Sequence, residues 1–325
     1  MSGLLRPSAP APVDISDLVE ALDAISIARP AAIAVLSVID DPNTDAPKVA
    51  AAVEKDPAFA TQVMRLANSA FYGMSGRVSS TGFAVTVIGF SATRSLAAVT
   101  ATGLSNGDRP KPSGFWFHAA AAAAACSIVA PRHGLPKGDA FAAGLLHDLG
   151  LALLHGFDTV THQDLLDTYG MDGAELSRAE EEVFGMGHDA AAARVLAAWR
   201  FPEPLRAAIA DHHSHSASDA IGPFGKTIRA GDLLADLAAA HLAERKAKAA
   251  LDRAKSDHHD EEGEDEERSD IEFGDLDDMP ALPLDPELEA KRDELIEALG
   301  DDRIDEMIEE TAGRAAEIMA SLTVS

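Results

Sequence analysis

Cysteine is almost absent from this chain. A single thiol, Cys126, in 325 residues leaves no intrachain disulfide to form and points to a reducing compartment, the cytoplasm. Aromatic side chains are scarce too, at 5% with two tyrosines and two tryptophans, so alanine and the aliphatic residues must fill the core that 46% apolar content makes available. Positive charge is the third shortage: 27 Lys and Arg face 54 Asp and Glu, a net charge of −27. Nucleic acids and anionic membranes both require a basic footprint, so neither is expected as a partner. Residues Met1 to Pro12 lack the apolar stretch of a secretory leader. No run of about 18 strongly apolar residues stands out as a bilayer span. Strand-like alternation is missing as well, which leaves helices to build the fold.

The charge that is present is unevenly placed. Residues 251–325 carry 27 acidic and 7 basic side chains, a net of −20, leaving only −7 for residues 1–250. The acidic excess centres on Asp260 to Glu267, beside His258 and His259. Such a block repels itself and has nothing to bury, so 251–283 reads as a disordered linker, most simply a solvated spacer. Beyond it, Pro286–Leu299 and Ile304–Leu322 have helical periodicity, with Asp285-Pro286 as a cap and first-turn pair. These helices pack on the main body or on a partner. The division expected is a disordered 1–14, a domain over 15–250 made of lobes 15–110 and 111–250, the linker, and a helical segment over 284–325.

Residues 15–250 read as nearly pure helix. Pro30 and Asp56-Pro57 open helices, since a first-turn proline gives up no intrahelical hydrogen bond. Ser80 and Ser91 suit N-caps of two helices separated at Gly89-Phe90. Seven alanines, Ala119–Ala125, follow Phe115-Trp-Phe-His118 and mark a helix whose small side chains permit close approach. Asp139–Leu154 is apolar on most faces and predicts one central buried helix. Further helices are expected near 160–169, 173–184, 189–199, 203–213 and 225–250. Cys126, among alanines, reads as a small core residue. Asn68 is expected to bond neighbouring backbone, with Phe71 and Tyr72 packing a helix joint. The default for Arg94 is a solvated helix face.

Function has to come from the twelve histidines. His147-Asp148 lies inside the apolar stretch Ala142–Gly150, where an imidazole and a carboxylate are costly to bury unless each finds a partner. A divalent metal supplies one, since a neutral imidazole nitrogen and an ionised carboxylate oxygen are both ligands. His118 and Asp232 are candidates on other helices, and His188, His212 and His213 are further ones. Two ordinary readings compete. His118, His147, Asp148 and Asp232 can form a metal-free polar network, and His188, His212 and His213 can cap or pack. His155, His162, His215 and His241 read as surface residues.

The order His118…His147-Asp148…Asp232 resembles the HD superfamily of metal-dependent phosphohydrolases, and the fuller resemblance is to its HDOD branch, the HD-related output domains of bacterial signalling proteins. Glu54-Lys-Asp-Pro through Leu66-Ala-Asn-Ser-Ala-Phe-Tyr-Gly73, Val78-Ser-Ser80 through Gly89, and Ala143–Gly150 carry it. So do Glu180–His188 and Trp199–Leu205 followed by Asp211-His-His213, in collinear order over roughly 17–245. The resemblance implies an all-α, compact bundle of two helical lobes, and a regulatory, non-enzymatic signalling role through protein or nucleotide binding. It implies His118, His147, Asp148 and Asp232 as the ligands of a divalent metal (Mn, Fe, Zn or Mg). His188, His212 and His213 fall where the binuclear HD-GYP phosphodiesterases hold extra ligands.

Two departures argue against turnover. Leu151 stands where those phosphodiesterases have a lysine, and Ser214 where they have a glutamate, with only Gly222-Pro-Phe-Gly225 near their Gly-Tyr-Pro signature. A phosphate-facing cation is therefore missing from its usual place. The competing function is a metal-dependent phosphohydrolase or cyclic-dinucleotide phosphodiesterase with Asp148 as its catalytic residue. Because a linker buries little surface, deleting 253–283 is expected to leave the thermal midpoint of the remainder nearly unchanged, as followed by circular dichroism.

Overall fold

Prolines and short polar side chains set the helix starts. The Asp56 carboxylate accepts from the backbone N–H groups of Ala58 and Phe59 at 3.0 and 3.1 Å, and Ser80 Oγ accepts from Phe83 N–H at 3.3 Å. In the computed structural model, residues 14–323 are described except 26–28, 106, 172, 214–221, 258–285 and 301–302, and every regular element among them is helical. The chain begins with α1 (Ile15–Ile25), α2 (Pro30–Ile39), α3 (Ala46–Val53), α4 (Pro57–Asn68), a 3-10 turn at Ala70–Tyr72, and α5 (Thr81–Thr102). It continues with α6 (Phe115–His133), α7 (Lys137–Leu146), α8 (Leu149–Phe157), α9 (Thr159–Tyr169), α10 (Ala174–Phe184), α11 (His188–Ala198), α12 (Glu203–Ala210) and α13 (Gly222–Asp257). Last come α14 (Pro286–Leu299) and α15 (Ile304–Leu322).

The alanine-rich α6 is the axis of the molecule, with α7, α13 and α15 packed on it. Its seven consecutive alanines are all buried. Close approach is enforced at two glycines beside the histidines. A Cβ on Gly144 would stand 2.2 Å from the Ala122 carbonyl oxygen of α6, and one on Gly150 would stand 1.8 Å from the His188 carbonyl oxygen of α11. No side chain fits at either place.

Several expectations change in three dimensions. The single helix predicted over 139–154 is two, because the backbone leaves helical geometry at Asp148 (φ −98°, ψ 14°). Hydrophobic periodicity continues through the break and does not reveal it. The separation expected at Gly89-Phe90 is present, since α5 breaks at Gly89 (φ 80°, ψ 170°), but Ser91 is not its cap: Ser91 Oγ donates instead to Asp139 of α7. Arg94 is not a solvated residue. It pairs with Asp40 at 2.7 Å, donates to the Trp199 and Arg200 carbonyls at 2.9 and 2.8 Å, and lies over the Phe201 ring. The helix expected to reach 213 ends at Ala210, and α13 runs to Asp257, into the first residues of the expected linker. The remainder of that linker, the first thirteen residues, Asp285, His215, His258 and His259 lie outside the described residues.

Asn68 does brace local backbone, through Met64 O, Val78 O and Val78 N. The C-terminal helices pack on the body. Gln62 Nε2 donates to Leu322 O at 2.9 Å, Phe71 N–H donates to Glu317 at 3.1 Å, and Arg229 of α13 holds Glu294 of α14 at 2.6 Å. By length and composition alone, Thr81–Thr102 and Lys137–Phe157 are apolar enough to cross a membrane, contrary to the expectation from sequence. Packing accounts for that composition in the second segment, whose apolar window is 89% buried within the fold.

Gly150→Ala is expected to cost about 1–3 kcal/mol or more by overpacking against α11. Gly313→Ala, at a helical glycine where an added Cβ meets nothing within 4 Å, is expected to be neutral or stabilising by up to about 1 kcal/mol. Urea unfolding of both variants checks the contrast.

Candidate metal centre

The break between α7 and α8 aims His147 and Asp148 into one space lined by the ends of three other helices and by the body of α13. His118 enters from the first turn of α6, Asp232 from α13, His188 from the first residue of α11, and His212 and His213 from just past α12. The side chains form two groups, His118–His147–Asp232 and Asp148–His188–His212–His213, each with one donor atom per residue within 4.8 Å of the others. Asp148 joins the groups. Its Oδ2 is 3.3 Å from both His118 Nε2 and His147 Nε2, and its Oδ1 is 3.2 Å from His212 Nε2 and 3.8 Å from His188 Nε2. Asp232 Oδ1 lies 3.1 Å from His118 Nε2 and 3.4 Å from His147 Nε2.

The opposite edge of each ring decides what these nitrogens offer. His147 Nδ1 donates to the Gly144 carbonyl at 2.8 Å, His212 Nδ1 to the Ile209 carbonyl at 2.6 Å, and His188 Nδ1 to Glu180 Oε2 at 2.6 Å. An N–H committed on Nδ1 leaves Nε2 with a lone pair facing inward, as metal-ligating histidines are normally held. Asp232 Oδ1 is buried and accepts no hydrogen bond of good geometry, despite two imidazole nitrogens within 3.4 Å. Lone pairs from several side chains therefore converge on common points, and the residues present fit divalent cations.

Without a cation, protons take over its charge. Burial alone would push His147 and His188 down. Instead Asp148 and Asp232 lift His147 to about 10, and Glu180 with Asp148 lifts His188 to about 9. The same two carboxylates outweigh burial at His118 and raise it well above its ordinary value. Burial would raise Asp148 and Asp232, but the facing rings hold both well below the usual carboxylate range. His213 goes the other way, pushed down to about 3 by burial and by His212 and His188.

A profile of the HDOD domain matches residues 28–215, more than half of the chain. This chain belongs to the HDOD family. Solved structures share the fold. A candidate phosphohydrolase from Shewanella amazonensis aligns with a TM-score of 0.62 at 20% identity over 95% of this chain and 98% of its own. A candidate signal transduction protein from Marinobacter aquaeolei aligns at 0.58 and 21% identity over 97% and 67%. An HDOD domain protein of unknown function from Geobacter sulfurreducens aligns at 0.52 and 20% identity over 97% and 92%. Curated proteins give no significant match.

Within this HDOD fold, all seven residues singled out from sequence meet in one place, including His188, His212 and His213, for which simple packing was the ordinary reading. Asp232 lies beyond the family match yet completes the first group. His155 and His162 are not surface residues: they are 4% and 0% exposed, and with Glu180 and His188 they form a buried polar row. Glu180 was not given a role from sequence, although it opens the Glu180–His188 stretch. Asp236 was not singled out either. Its signal was its spacing, one helical turn after Asp232 and so on the same face.

A cation requires unprotonated nitrogens, and at pH 7 His147 (about 10) and His188 (about 9) carry protons in the metal-free chain. Affinity is therefore expected to rise with pH until about 9–10, and uptake at neutral pH to release protons. Calorimetric titration with Mn²⁺ in buffers of different ionisation heat checks the number released.

Proposed function

We propose that this HDOD chain is a non-enzymatic signalling module that holds a two-cation centre and acts through binding a protein or a nucleotide in the cytoplasm. The observation that supports this reading is the closure of the donor set. Counting Asp148 twice, each group offers a cation four protein donors. Of the seven residues, only His118 and Asp148 line the adjoining cavity of about 470 Å³. For a tetrahedral ion such as zinc, four protein donors close the site, whereas catalytic sites keep a position open. Leu151, at the place where the related phosphodiesterases carry a lysine, is fully buried and supplies no cation to a phosphate. The imidazole-rich set favours Mn, Fe or Zn over Mg, which prefers oxygen donors and retained water.

The second reading, a metal-dependent phosphohydrolase, is favoured by the completeness of the set and by the carboxylate shared between its halves. A bound divalent ion would supply Lewis acidity toward a phosphoryl oxygen and an activated water. In that reading His118 and Asp148 face the substrate cavity, while His147, His188 and His212 stay sealed behind them and keep solvent from the rear of the centre.

Elemental analysis of purified protein is expected to find a transition metal that His147→Ala with Asp148→Ala removes. Incubation with Mn²⁺ or Fe²⁺ and a panel of nucleotides and cyclic dinucleotides is expected to yield no product. Turnover that Asp148→Ala abolishes would establish the hydrolase instead, and a metal-free protein whose stability the double substitution leaves unchanged would dispose of the metal centre.

A further inference from the structure

Three of the inward-facing histidines have their Nδ1 hydrogen held in a short hydrogen bond of 2.6–2.8 Å: to a carbonyl on α7, a carbonyl on α12, and Glu180 on α10. His118 is different. The group facing its Nδ1 is Asp236 Oδ1 of α13, at 3.6 Å. Asp236 is largely buried, one helical turn after Asp232. The Lys291 ammonium donates to the other oxygen, Asp236 Oδ2. Lys291 belongs to α14, well past the end of the family match at residue 215. It also lies 3.9 Å from Glu287, one turn earlier on the same helix.

The helix that carries Lys291 is seated independently of this contact. Leu295 is fully buried, Arg229 holds Glu294, and Arg292 holds Asp305 at the start of α15. Glu287, Leu288 and Lys291 then form one wall of the cavity whose floor is His118 and Asp148. A chain of contacts thus runs from an appended helix to a candidate ligand: Lys291, Asp236, His118.

Resting on the reading of the seven residues as a metal centre, we propose that Lys291 is a positioning residue. It keeps the Asp236 carboxylate in place against His118 Nδ1, which commits His118 Nε2 to the cation and couples the docking of α14 to metal occupancy. Coupling of this kind is reciprocal: a helix that favours the cation must be favoured by it. Partners one step out from a metal ligand typically alter affinity 10–100-fold, so the contact is large enough to read out. The C-terminal helices are then a reporter of the centre's state.

Mn²⁺ titration of the full-length chain, with free Mn²⁺ followed by electron paramagnetic resonance, tests this. In Lys291→Met, one of two sites is expected to weaken about 10–100-fold while the other keeps its affinity. Lys291→Arg is expected to stay close to the parent, because arginine preserves the pairing with Asp236. Asp236→Asn, nearly isosteric, is expected to match Lys291→Met, and the two together to be no worse than either. Amide exchange across α14 is expected to slow on Mn²⁺ addition in the parent and not in Lys291→Met. Unchanged affinity at both sites in Lys291→Met and in Asp236→Asn overturns the positioning role while leaving the metal centre standing. Equal weakening at both sites with a lowered metal-free melting midpoint, unrescued by arginine, also overturns it, as a merely structural effect. A parent chain that takes up no Mn²⁺ removes both readings.

Discussion

The Asp148 carboxylate ties the functional half of this molecule together. One oxygen faces His118 and His147, and the other faces His212 and His188. Successive residues on a continuous helix point about 100° apart, and here the backbone leaves helical geometry at Asp148. The interruption between α7 and α8 brings His147 and Asp148 toward one space. Everything around them serves the cost of putting this much polarity in an apolar interior: backbone carbonyls and Glu180 orient the rings, and the opposed charges of rings and carboxylates hold one another.

That arrangement depends on packing at very short range. With few aromatic residues to fill space, the core is built from alanine and the aliphatic residues, and at Gly144 and Gly150 helices approach until a single added methyl would collide. Gly144 lets α7 lie on α6, which sets His147 opposite His118. Gly150 lets α8 meet the first residue of α11, which sets Asp148 opposite His188. The small residues are thus responsible both for stability and for the distances between donors.

The net charge of −27 also takes on a local meaning. It is concentrated toward the C-terminus, while at the centre opposite charges are balanced group by group. The cavity beside the centre carries Asp148, Asp167, Asp236 and Glu287 against His118 and Lys291. Acidic side chains outnumber basic ones there, so the cavity by itself repels an anionic ligand.

Local chemistry was legible in the chain. Pro30 and the Asp56-Pro57 pair start helices for reasons confined to one turn, and the boundaries Pro286–Leu299 and Ile304–Leu322 follow from periodicity alone. The family and the set His118, His147, Asp148 and Asp232 could be read from residue order, with His188, His212 and His213 as further candidates beside a packing reading. Three features could not. The break at Asp148 does not interrupt the apolar pattern. The burial of His155 and His162 depends on Glu180, which is distant from them in sequence. The contact of Lys291 with Asp236 joins residues 55 positions apart. Each is decided by which helices lie side by side, and that is fixed by packing over the whole molecule, not by any local signal.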